Sequence, residues 1–138
     1  MDAFDADVLI YAAVPGHPLG SPVRALLAAS EPGVPAGIGS TLLLPELLIK
    51  PVRTENVGEV QQLTALVARL DLLPCDAATA RLAVALGARY ALRAADAVHL
   101  ATAVHARAER FVTNNRKDFP ETIGEIAITY PDRLSPPS

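Results

Sequence analysis

The sequence predicts an α/β fold with a central, mainly parallel sheet of about five strands. Two observations lead there. Short apolar runs alternate with longer stretches of helical periodicity along the chain, which is the pattern of strands joined by helical crossovers. Hydrophobic residues make up 51% of the chain but aromatic residues only 4%, so the core is Ala/Leu/Val packing, suited to helices on a sheet rather than to an aromatic-rich sandwich. The one cysteine, Cys75, excludes an intramolecular disulfide and a cysteine zinc cluster. With 138 residues the chain reads as one domain, long enough to bury a core unaided, with a polar tail from about residue 131 to 138.

The elements follow in order. Residues 2–5 are too short to read as a strand by periodicity alone. Two acids, Asp5 and Asp7, stand there between apolar residues. Asp is depleted in strands and charged residues are rarely buried unpaired, whereas ligands of open α/β sheets bind at the carboxyl ends of strands. Asp5 therefore reads as the end of a first, central strand on which other acids converge. Residues 8–13 begin a helix or loop, broken by Pro15-Gly16-His17-Pro18. Ser21-Pro22 reads as an N-cap with proline at the first helical position, and a helix over 23–29 ends at Glu31-Pro32-Gly33. Residues 34–39 are a second strand, weakened by Gly37 and Gly39.

Ser40 or Thr41 caps a helix over 42–49 that carries Glu46, and Pro51 marks its end or a kink. Asn56 caps a helix over 57–70, with Val60, Leu63, Leu66, Val67 and Leu70 at helical spacing. Residues 71–74 form a third strand. Cys75 is expected as a small buried residue. Asp76 caps a helix over 77–88 with Leu82, Ala85 and Leu86 on one side, and Asp96 lies in the first turn of a helix over 94–108. Residues 110–113 and 126–129 are the last two strands, with a polar loop between Asn114 and Asp118.

The net charge is -3, but it is unevenly placed. Residues 81–117 carry seven basic side chains against Asp96 and Glu109, while residues 1–80 carry four basic and nine acidic ones. A local basic surface attracts phosphates even on an acidic chain; a solvated helix face reads the same way. The N-terminus lacks the basic region and apolar core of a signal peptide, and no apolar run is long enough to cross a membrane. A soluble, cytoplasmic protein is expected.

Asp5, Glu46, Asp96 and Asp118 stand at element ends. Singly, the last three have structural explanations: a solvated helix residue, a first-turn acid that complements the helix dipole, and a turn initiator. Together the four suit Mg²⁺ or Mn²⁺, which prefer oxygen ligands and support attack of water on a phosphodiester. No histidine base is required. His17, His99 and His105 form no obvious constellation and read as packing or surface residues.

Asp5-Ala6-Asp7-Val8-Leu9-Ile10-Tyr11 resembles the opening motif of PIN domains. Ser40-Thr41 followed by Glu46 resembles the second motif. The stretch from Leu92 to Ala103, with Asp96 within it, is very similar to the third and is the most specific. Phe111 to Phe119, with Thr113 and Asp118, resembles the fourth. The size and layout look most like the VapC-type toxins of bacterial toxin–antitoxin pairs. The resemblance implies a three-layer α/β/α sandwich and a Mg²⁺- or Mn²⁺-dependent endoribonuclease. It implies an RNA substrate, a homodimer and a cognate antitoxin. It carries over Asp5, Glu46 and Asp96 as the acidic cluster, with Asp5, Asp96 and Asp118 on the metal and Thr113 as a supporting hydroxyl. Many relatives have Asp directly after the Thr-Asn pair, where this chain has Asn115, so Asp118 becomes the fourth acid. Asp7 fills a position usually held by a small polar residue and is expected to support the site. Arg89, Arg93, Arg116 and Lys117 are candidates for backbone phosphate contacts.

Two other readings stay open. A catalytically silent module of the same fold is favoured by Asn115 and opposed by the four retained acids. A haloacid-dehalogenase-type phosphatase would use Asp5 of Asp5-Ala6-Asp7 as nucleophile. It also needs a downstream lysine and a late acidic pair, and the chain has only Lys50 and Lys117 and no Asp-Asp.

Overall fold

The computed structural model describes residues 1–134. In chain order the elements are β1 (Asp2–Phe4), α1 (Ala6–Ala13), α2 (Ser21–Ala28), β2 (Gly37–Ser40), α3 (Leu43–Arg53), α4 (Val57–Val67), β3 (Leu70–Leu73), α5 (Ala77–Tyr90), α6 (Ala94–His105), β4 (Arg110–Val112) and β5 (Ala127–Thr129), followed by a 3₁₀ turn, Pro131–Arg133. The strands form one five-stranded sheet in the order β3-β2-β1-β4-β5. Every neighbouring pair is parallel, with Ala3 opposite Ile38 and Phe111. The predicted α/β class with a parallel sheet holds, and β1 is the central strand.

Alternation across the pleat divides the core into two layers. Ala3 and Phe111 face one side, where α5 and α6 pack through Leu86, Ala97, Leu100 and Ala101. Phe4 and Val112 face the other, where α1 to α4 contribute Leu9, Val23, Leu43, Leu47 and Leu63. The result is the three-layer α/β/α sandwich. The chain runs outward from β1 through β2 to β3 and then returns to β4 on the opposite flank of β1. Between β1 and β4 the strand order therefore reverses, which opens a crevice at their carboxyl ends.

Several local expectations are corrected. Leu70 continues the helical spacing of α4 but opens β3, because Ala68 ends the helix and Leu70 pairs with Gly37. Pro51 does not end α3: the buried ring sits inside the helix, which runs on to Arg53. The Thr54 and Asn56 amides close that end on the Lys50 and Pro51 carbonyls. Ser21 does not cap α2; it is the first helical residue, and its hydroxyl donates to the His17 carbonyl. Cys75 is exposed in the loop between β3 and α5, and Ala85 faces solvent while Thr79, Ala83 and Leu86 are the buried positions of α5. The chain after β5 does not leave as a polar tail at once, since Pro131 and Leu134 are buried; residues 135–138 lie outside the described residues.

Candidate active site at the carboxyl edge of the sheet

Asp5 follows the last residue of β1 and caps α1. Its amide donates to the Val112 carbonyl, extending the β1–β4 ladder by one bond. Its Oδ1 accepts from the Ala6 amide at 2.8 Å and its Oδ2 from the Thr113 hydroxyl at 2.8 Å. Asp5 is only 5% exposed and Thr113 is fully buried. Asp7, in the first turn of α1, accepts from the Asn114 amide at 3.0 Å, while its Oδ1 is buried with no partner.

Glu46 projects from the first turn of α3 and Asp96 from the first turn of α6. Asp5, Asp7, Glu46 and Asp96 line one cleft of about 330 Å³, together with Ala6, Ile10 and Asn115. Neither lysine of the chain lines it. A larger hollow of about 570 Å³ beside Pro51, Val52 and Val57 is mostly apolar and holds no acidic cluster. The carboxylates thus come from the starts of three helices, where the helix dipole favours negative charge.

That advantage is opposed by burial. Desolvation raises the Asp5 carboxyl above its ordinary value, partly offset by His99 and by its hydrogen bonds from Thr113 and Ala6. Asp7 is pushed up to about 7, first by desolvation and then by the charge of Asp5. Asp96 is also raised, by desolvation, by Asp5 and by Asp118. Three carboxyls that resist ionising side by side form a site that a cation relieves.

The expected residues fall into two groups. Asp5, Glu46 and Asp96 converge on the cleft as anticipated from their motifs. Asp118 stands behind it: its carboxylate accepts from Asn115 Nδ2 at 2.9 Å, and its amide donates to Asn115 Oδ1 at 3.2 Å. Asn115, not Asp118, is the side chain that reaches the cleft wall. Two of the expected phosphate-contact residues are engaged elsewhere. Arg89 pairs with Glu125 at 2.6 Å, and Arg116 pairs with Asp132 at 2.6 Å and lies over the Tyr130 ring. Arg93 and Lys117 are exposed and have no ion pair among the described residues.

His99, expected as a packing or surface residue, is buried and also reaches a cleft acid: it is 2% exposed, and its Nε2 lies 3.0 Å from Glu46 Oε1. It follows Asp96 by three positions on α6, a spacing that puts both on one helix face. That spacing was the available signal.

A divalent cation fits this donor set. Asp7 Oδ1 is an orphaned, buried acceptor at the cleft, and the mutual elevation of the acids calls for positive charge. Among the described residues, no three acids, histidines or cysteines close a metal cage by themselves. An ion that keeps several of its waters, as Mg²⁺ does, needs no such cage.

A parallel sheet with carboxylates gathered at its switch point defines a class of α/β protein with an acidic crevice at the carboxyl ends of its strands. The PIN domain family model matches residues 3–124, and the chain belongs to that family. It is similar in structure to a chain of a toxin–antitoxin complex from Klebsiella pneumoniae, with 27% identity, a TM-score of 0.73, and 95% of this chain and 98% of that chain covered. A chain in the crystal structure of VapBC2 from Rickettsia felis bound to a promoter DNA fragment shares the fold at 18% identity and a TM-score of 0.72, covering 94% of this chain and 97% of that one. No curated protein matches the chain.

Proposed function

We propose that this chain is a Mg²⁺- or Mn²⁺-dependent endoribonuclease and the toxin of a toxin–antitoxin pair. The observation that carries the reading is the convergence of Asp5, Asp7, Glu46 and Asp96 on one cleft at the β1–β4 switch point. Asp5 and Asp96 would hold the ion. Glu46 is within the same cleft for direct or water-mediated contact, and Asp118 acts through Asn115 and by its charge on Asp96. When bound, such an ion lowers the pKa of a coordinated water and offsets charge on a phosphodiester. The chain's own residues do the rest. Thr113 and the Ala6 amide fix both oxygens of Asp5, and the Asn114 amide fixes Asp7. Arg93 and Lys117 supply phosphate contacts that add affinity without sequence choice.

The similarity to chains of toxin–antitoxin complexes supports an antitoxin partner, and a homodimer belongs to the same reading. Leu44, Ile49, Val52 and Val57 on α3 and α4 present exposed apolar surface for such contacts, while Leu43, Leu47, Leu63 and Val67 of the same helices are core. No helix among the described residues is long and apolar enough to cross a membrane, and a cytoplasmic location belongs to the same reading.

The test is cleavage of a mixed, structured RNA pool by purified protein with Mg²⁺, with Mn²⁺ and with EDTA, beside Asp96→Asn. Metal-dependent cutting that vanishes in the variant is the expected result. Equal cutting by both proteins would assign the activity to a contaminant. A protein that neither cuts nor binds Mn²⁺ would favour the silent binding module, to which the neutral Asn115 at the cleft wall already points.

A further inference from the structure

We propose that His99 is a positioning residue that holds the Glu46 carboxylate over the acidic cleft. The inference rests on the metal-site reading above and adds a residue to it. A carboxylate only accepts hydrogen bonds, so His99 Nε2 carries the hydrogen that meets Glu46 Oε1 at 3.0 Å. The other ring nitrogen, Nδ1, is buried with no partner. The His99 side chain is 1% exposed, whereas that of Glu46 is 34% exposed.

This is a poor arrangement for stability alone. The fold buries an imidazole, leaves one nitrogen unsatisfied, and directs the other at a carboxylate that water could solvate. The sequence around His99 on α6 is mostly buried and apolar, with Ala97, Leu100, Ala101 and Ala103, while Asp96 lies one turn before it on the same face. What the imidazole supplies is direction. Glu46 has several rotatable bonds and sits at the rim of the cleft, and the bond to α6 restricts it to the side that faces Asp5 and Asp96. Groups that orient metal-site carboxylates in this way tune affinity without touching the ion.

The experiment compares His99→Leu, His99→Gln, Glu46→Gln and the His99→Leu/Glu46→Gln double variant with the wild-type full chain. Gln can place an amide N–H where Nε2 stands, and Leu cannot. In metal-free protein, the Glu46 carboxyl carbon is followed by NMR. It is expected to be restrained in wild type and His99→Gln and averaged in His99→Leu. Mn²⁺ titration by calorimetry is expected to show binding about 10- to 100-fold weaker in His99→Leu, largely restored in His99→Gln. The double variant is expected to bind no more weakly than Glu46→Gln, because the two residues act as one unit. Thermal melts confirm that the variants fold. A Glu46 equally restrained in His99→Leu, or losses that add in the double variant, would overturn the positioning role while leaving the metal site intact. If wild type binds no Mn²⁺, the metal reading falls, and the metal-free spectra still decide whether His99 holds Glu46.

Discussion

Thr113 Oγ1 donates to Asp5 Oδ2 at 2.8 Å, joining the residue after β4 to the residue after β1. The same hydroxyl accepts from the Asn115 amide at 3.1 Å, so one buried side chain sets both the acid and the loop that walls the cleft. Thr113→Val keeps the shape and removes both bonds. It leaves a buried carboxylate oxygen and an amide unpaired, which costs about 1–3 kcal/mol. Urea denaturation is expected to show a loss in that range with an unchanged m-value. A Thr113→Val variant as stable as wild type would mean that water replaces the hydroxyl.

Asp7 gives the metal-free protein a pH dependence of definite sign. Its carboxyl rises from an ordinary 3.8 to about 7 on folding, so the folded state holds the proton more tightly than the unfolded state. Below pH ~4 both states are protonated and the group is neutral in effect; its cost grows as pH rises towards 7 and is full above it. Asp7→Asn keeps an acceptor for the Asn114 amide and removes the charge. In EDTA the variant is expected to be more stable than wild type by about 1–3 kcal/mol at pH 8, with the gain shrinking towards pH 5. Melting curves at the two pH values check this, and a gain equal at both would remove Asp7 as its source.

The two glycines of β2 separate a rigid constraint from a soft one. A Cβ at Gly37 would meet the Asp2 carbonyl oxygen at 2.5 Å and the Phe4 ring at 2.6 Å. At Gly39 the close contact would be the end of the Leu43 side chain, at 2.4 Å. Backbone at the centre of a sheet cannot step aside, whereas a leucine methyl can change rotamer. Gly37→Ala is expected to destabilise by at least about 2 kcal/mol and Gly39→Ala by about 1 kcal/mol. Chemical denaturation ranks them, and the reverse order would contradict the packing described.

These residues also show what a sequence can and cannot disclose. Asp5 was legible because a charge at a strand end conflicts with folding and so points to function. Glu46 and Asp96 were legible through motifs and helix starts. Gly37 and Gly39 looked like defects in a strand, since the ring and backbone they admit become neighbours only in the assembled sheet. The Glu46–His99 bond spans 53 positions; the spacing of Asp96 and His99 marks a shared helix face but does not name Glu46 as the partner, because that pairing is made through tertiary packing. Leu70 kept helical spacing yet pairs with Gly37, because the strand register overrode local periodicity. Arg89 and Arg116 contributed to the basic stretch, but ion pairs with Glu125 and Asp132 engage them.

The loop after β4 supplies the last test, because Asn115 lines the cleft and Asp118 closes the turn behind it. Asn115→Asp replaces the Asn115 Nδ2–Asp118 hydrogen bond with like-charge repulsion and adds a carboxylate to a cleft already crowded with them. Without metal the variant is expected to be less stable than wild type by about 1–2 kcal/mol. With Mn²⁺ the added ligand charge strengthens binding, so ligand-linked stabilisation rises. The measurement is the difference in melting temperature between EDTA and saturating Mn²⁺, taken for both proteins in one buffer. A larger difference in Asn115→Asp identifies position 115 as facing the ion. An equal difference, with a larger one lost in Asp118→Asn, would instead place Asp118 as the fourth acid of the site and Asn115 as its hinge.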